Sequence, residues 1–251
     1  METRPGTDRG AAYDASTSAP PPEKASVVED FIDIFYAPAK VFARRAMSGF
    51  GIPMLIILVL SAGFAFASQS VFSQIFDAEF SRGMARAMQT NPRLTPEIAN
   101  SMKPMQEKIA GAFVYAGPLL LVFFTTIFVW IAAKLFSAKV TFGQVMTIST
   151  LAYIPRLLGS LIGVLQVVLM DTTNFTNRFS LAVTPARFMD PDTANPKMFA
   201  LVGNVELFTI WSTILIAIGV SVVSKKPRST GYLVAGVAFV VMSGLAVLTA
   251  R

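Results

Sequence analysis

The least ordinary chemistry in this 251-residue chain lies in the run LAYIPRLLGSLIGVLQ. Arg156 follows Pro155 near the middle of an apolar stretch from Phe142 to Met170. A charged side chain at bilayer depth costs at least ~2.5 kcal/mol on insertion scales, so it must face the bundle interior or water and find a partner. Proline removes one helical hydrogen bond and kinks the helix, and Tyr153 beside Pro155 favours a backbone break. Carbonyls freed by that break are acceptors for a guanidinium. Gly159, Ser160 and Gly163 let another helix approach closely. Gln166 adds a polar group ~15 Å further along. Three roles are open to Arg156: pinning a broken helix, lining a substrate or ion pathway, or touching a partner or lipid headgroup. The candidate counter-charge is Glu206 in GNVELFTIWSTILIAIG, paired directly or through Asn204 or water. The alternative for Glu206 is a helix N-terminus, where a carboxylate suits the dipole.

Other chemistry is excluded. The chain has no His and no Cys. That removes Ser-His and Cys-His nucleophiles, Cys/His zinc sites, His or Cys haem ligation, iron–sulfur clusters and disulfides. There is no phosphate-cradling glycine loop and no carboxylate pair placed for acid–base work. Asp190, Pro191 and Asp192 lack the spacing and glycine of a calcium loop and read as a solvated turn. Asn174-Phe175-Thr176 is a sequon of a kind common by chance. The expectation is a protein without enzymatic activity, cofactor or metal.

The elements that position Arg156 follow from composition. Apolar residues make up 53% and charged residues 14%, against about 25% charged in soluble domains; mean hydropathy is +0.58. The net charge of +6 is spread beside apolar runs, which points to a membrane surface rather than nucleic acid. Apolar stretches run over about 50–72, 109–135, 142–170, 204–224 and 231–250. Each is long enough for a ~30 Å hydrocarbon core, which takes ~20 helical residues. In lipid the backbone must satisfy itself, so these are expected to be helices. The fold class is all-α integral membrane: five transmembrane helices, an N-terminal interfacial amphipathic helix and an extracytoplasmic helical hairpin.

Residues 1–26 are rich in Pro, Ser, Thr, Ala and Gly and read as a disordered cytoplasmic tail; no apolar run marks a signal peptide. In VVEDFIDIFYAPAKVFARR, apolar residues recur at helical spacing until Pro38 breaks the helix. Phe31, Phe35, Lys40, Arg44 and Arg45 are candidate lipid contacts of an element lying at the interface; the alternative is a linker helix packed on the spans. Lys134 and Lys139 flank one short turn, and Lys225, Lys226 and Arg228 lie in another. The positive-inside rule places both turns with the Lys40–Arg45 collar in the cytoplasm. Five crossings then leave the N-terminus inside and the C-terminus outside. SQIFDAEFSRGMARAM, the turn NPR, and Thr95-Pro96-Glu97 as N-cap, N1 and first-turn acid predict the hairpin.

Four stretches carry a family likeness: FIDIFYAPAKVF before the first span, YAGPLLL in the second, LAYIPRLLGSLIG in the third, and VELFTIWSTILIAIGVSVVSKK in the fourth. In order and spacing the chain resembles the Yip (Ypt-interacting protein) superfamily over about residues 28–250, in a bacterial-type version. It departs by Tyr115-Ala116-Gly117-Pro118 in place of Tyr-Gly-Pro, by Glu206 in place of Asp, and by a long 73–108 loop. The resemblance implies five helices, a cytoplasmic N-terminus and no catalysis; the eukaryotic relatives are tied to Rab GTPases and vesicle traffic. The expected protein is a multi-pass inner-membrane scaffold or adaptor that binds lipid and a protein partner, with homo-oligomerisation open. The alternative is a small permease or lipid-handling protein with a polar path at the broken third span.

Overall fold

A computed structural model describes residues 26–249. The expected disordered tail, apart from Ser26, lies outside them. Every regular element among the described residues is helical. Helices α1 (Val27–Asp33) and α2 (Pro38–Arg45) lead into α3 (Gly51–Ala67) and α4 (Gln69–Thr90). The long α5 (Pro96–Leu135) is followed by α6 (Phe142–Ala152) and α7 (Ile154–Leu169). A loop with two short 3-10 turns leads to α8 (Pro196–Asn204), α9 (Leu207–Ser224) and α10 (Arg228–Thr249).

Four helical paths are long and apolar enough to cross a membrane: α5, the α6–α7 path, α9 and α10. The first expected span, 50–72, bends by 75° at Ser68, and α3 is long and apolar enough to cross only together with α4. Length and composition thus allow four crossings among the described residues, or five with the bent pair as one span. The second span is the apolar part of a longer helix. At 40 residues, α5 is ~60 Å long, twice the hydrocarbon thickness, so its first half extends into the hairpin with α4. Thr95 caps it and Pro96 opens it, as the capping pattern predicts. The fourth span starts at Leu207, three residues later than expected, because Val205 leaves helical geometry after α8.

The α6–α7 path runs antiparallel to α9. Gly159 abuts the Phe208 ring and Gly219 abuts Ile148. Those two contacts step eleven residues along each path in opposite directions, so the third stretch follows α9 in one direction without turning back. Gly231 marks the closest approach of α9 and α10, since a Cβ there would lie 2.0 Å from the Ala217 carbonyl. This register brings the α5–α6 and α9–α10 turns to one end of the bundle. Thr147 donates to the Ser48 carbonyl at 3.1 Å, which brings the end of the N-terminal segment there too. We call this the turn end and the opposite one the hairpin end.

The N-terminal segment is packed against the bundle. Ile34, Val41 and Phe42 are at most 1% exposed. Phe42 reaches Gly219, and Phe35 meets Trp211 edge-on at 5.2 Å. The hairpin of α1 and α2 thus packs against α9. Its apolar stripe faces protein because α9 is small enough at Gly219 to receive Phe42.

Candidate functional site

Tyr153 closes α6 and opens α7 in one residue, with φ −73° and ψ −22°. Pro155 at the second position of α7 has no N–H to donate, so the helix restarts where that loss costs nothing. The Arg156 amide then bonds the Tyr153 carbonyl at 2.9 Å. Pro155 is buried in the bundle. Arg156, one position on, faces a cavity of about 1270 Å³.

That cavity lies among helices α3 to α10, with mainly apolar walls such as Phe72, Leu121 and Phe239. It exceeds the ~300–1,000 Å³ common for drug-sized ligands. Tyr153, Arg156, Asn204 and Glu206 all line it. Gln166 does not: its amide donates to the Leu181 carbonyl at 3.2 Å and accepts from Arg187 at 2.9 Å. Gln166 therefore fastens the hairpin-end loop to α7.

Of the two readings of Glu206, the structure shows the helix N-terminus and no direct contact with Arg156. Among the described residues the ion pairs involve Asp30, Asp33, Asp77, Glu79 and Asp192, and none joins Glu206 to Arg156. Glu206 instead caps α9. Its two oxygens accept from the amides of Phe208 at 3.0 Å and Thr209 at 2.7 Å, and from the Thr209 hydroxyl. The carboxylate is held by unsatisfied N–H groups of the helix start, which leaves it a longer-range electrostatic neighbour of Arg156. The guanidinium makes no hydrogen bond or ion pair with the described residues.

Three hydroxyls that sequence reasoning missed share the cavity: Ser61, Ser149 and Ser212 line it, and Ser149 and Ser212 each have a buried oxygen with no hydrogen-bond partner. No sequence signal marks them, because most membrane serines bond their own helix, as Ser160 does to the Arg156 carbonyl.

The candidate lipid contacts of the N-terminal segment divide. Lys40 is exposed. Phe31 and Phe35 pack on the core. Arg44 bonds Asp30 and Asp33 at 2.6 Å each, and Arg45 bonds Asp30 at 2.5 Å. The Asp30 side chain is wholly buried. The Tyr36 hydroxyl and then Arg44 hold the Asp33 carboxyl below the usual carboxylate range.

In the hairpin-end loop Asp190 and Asp192 are exposed, as expected of a solvated turn, while other parts of the loop are packed. Phe175, Asn177 and Ala186 are buried. Asp192 pairs with Arg82 at 3.0 Å, Arg86 donates to the Pro191 carbonyl, and the Arg178 amide donates to Glu79. No group of three or more metal-ligating side chains occurs among the described residues.

Comparison with curated proteins and with solved structures finds no match. The Yip1 domain matches over residues 32–250, nearly the whole described chain. The protein belongs to the Yip1-domain family.

Proposed function

We propose that this multi-pass membrane protein handles lipid: its central cavity takes in the apolar part of an amphiphile from the bilayer, without catalysis. The observation that supports this is the cavity itself. A close-packed bundle has few voids larger than a water molecule, and an apolar space of about 1270 Å³ needs an occupant in a membrane. This favours the lipid-handling reading over an adaptor. Yip1-domain proteins are membrane proteins not known as enzymes, in keeping with a binding role. By the positive-inside rule the turn end faces the cytoplasm.

Gly117 on α5 lines the cavity, and a Cβ there would meet nothing within 4 Å. Gly117→Phe therefore fills space without clashing with backbone. Native mass spectrometry of the detergent-purified protein should find stoichiometric lipid on the wild type and little on Gly117→Phe, at unchanged melting temperature. Equal retention by both would overturn the reading.

A further inference from the structure

We infer that the deep end of this cavity is an oxyanion site centred on Arg156, so that the amphiphile it takes carries an anionic phosphate or carboxylate headgroup. The inference rests on the lipid-handling reading for its ligand, and on a separate set of atoms for its chemistry.

The first support is the unanswered charge. Arg156 is half-buried at mid-bundle, faces the cavity and has no hydrogen-bond or ion-pair partner among the described residues. A guanidinium presents a planar fork of donors matched to carboxylate and phosphate oxygens. In an apolar site it must be answered by water or by an anion.

The second support is the register of the hydroxyls. Gly159 and Phe208 are in contact. Arg156 stands about one turn from Gly159, and Ser212 one turn from Phe208, both toward the turn end of antiparallel helices. The orphaned Ser212 hydroxyl is therefore level with the guanidinium. Ser61 lies beside the Tyr153 side chain, within a turn of the same level. Ser149 lies seven residues before Arg156, ~10 Å deeper. One unpaired cation surrounded by unpaired neutral donors is a donor set for an anion; a cation would find no free carboxylate at this depth.

The other charged groups on the cavity are compatible with this. Glu79, Glu107 and Arg178 line its hairpin end, and Glu79 is engaged by Arg82 and the Arg178 amide. Glu206 is the nearest acid. It sits six residues before Ser212, ~9 Å along α9, with both oxygens committed to the α9 cap. An anion at Arg156 therefore lies below Glu206, with its chains against the apolar walls.

The test uses the full chain in detergent and three probes: dihexanoyl phosphatidylglycerol, the uncharged dihexanoylglycerol that lacks the phosphate, and inorganic phosphate. Binding is read by native mass spectrometry and by shift of the melting temperature. Wild type should prefer the phosphatidylglycerol by at least about tenfold, the value of one charged hydrogen bond. Arg156→Gln should lose that preference, bind both lipids alike and keep its melting temperature. Should Arg156→Gln fail to fold, Ser212→Ala should weaken the preference several-fold at unchanged melting temperature. Stabilisation by phosphate alone, lost in Arg156→Gln and accompanied by no preference between lipids, assigns the same site to a free anion. The anion site and the lipid reading fail separately: Gly117→Phe removes lipid but leaves the phosphate response, whereas Arg156→Gln removes anion discrimination but leaves lipid bound. Identical anion response in wild type, Arg156→Gln and Ser212→Ala would overturn the inference.

Discussion

At the turn end, Arg44 and Arg45 reach back eleven to fifteen residues to Asp30 and Asp33; at mid-bundle, Arg156 reaches into a cavity and meets no carboxylate. Both regions bring guanidinium groups out of bulk water. In the first, the charges close on one another within a helical hairpin, Asp30 accepts from two arginines, and the result is a rigid attachment of α1 to α2. In the second, the nearest acid is spent on capping α9, and two hydroxyls are left with unused donors. A cluster that satisfies itself holds structure. A cluster that does not is ready for something else to satisfy it.

The largest expected effect probes the closed cluster. Asp30→Ala removes the wholly buried carboxylate that accepts from Arg44 and Arg45 and leaves Arg44 its bond to Asp33; removing one partner of a buried pair costs up to about 3–5 kcal/mol. Denaturant titration in mixed micelles should show a loss of that size. A loss under about 1 kcal/mol would mean that solvent already serves these arginines, and the contrast with Arg156 would collapse.

Glu206→Ala tests whether Arg156 is truly open. The structure assigns Glu206 to the α9 cap, so the expected loss is that of a cap, about 0.5–2 kcal/mol. If the same titration returned a loss as large as that of Asp30→Ala, Glu206 would be the counter-charge of Arg156 and the two regions would be alike.

The smallest effect is the pH response of the closed cluster. The Asp33 carboxyl is held below its ordinary range, first by Tyr36 and then by Arg44. A depressed folded value means its contribution is present above the unfolded value of about 3.9 and is lost as pH falls through the lower folded one. Emission of Trp211, which packs on Phe35, should stay constant from neutral pH down to about pH 4 and change only below it, read in a Trp130→Phe background. Tyr36→Phe should move that change to higher pH. A wild-type transition centred well above pH 4, or no displacement in Tyr36→Phe, would break the assignment.

Much of this was legible in local pattern. Apolar run lengths identify the helical spans, Thr95 with Pro96 marks the start of α5, and Tyr153-Pro155 marks the interruption of the third path. Gly159 was legible as a point of close approach, and Phe208 occupies it. The bend at Ser68 was not legible, because α3 and the start of α4 form one apolar run. The N-terminal hairpin carried an amphipathic pattern that suits a lipid surface and a protein surface equally, and only the fit of Phe42 at Gly219 decides between them.

By itself the sequence determined that this is a helical membrane protein with a charge at mid-span, because helix periodicity, run length and the cost of a buried guanidinium are properties of short segments. Tertiary structure decided which charges meet. Asp30 became buried because α1 folds back on α2, and Glu206 was drawn to the α9 N-terminus, where its oxygens answer two amides. Arg156 stayed open because the helices around it diverge into a cavity. Partners, distances and empty space depend on how helices far apart in the chain are packed, and no single segment encodes them.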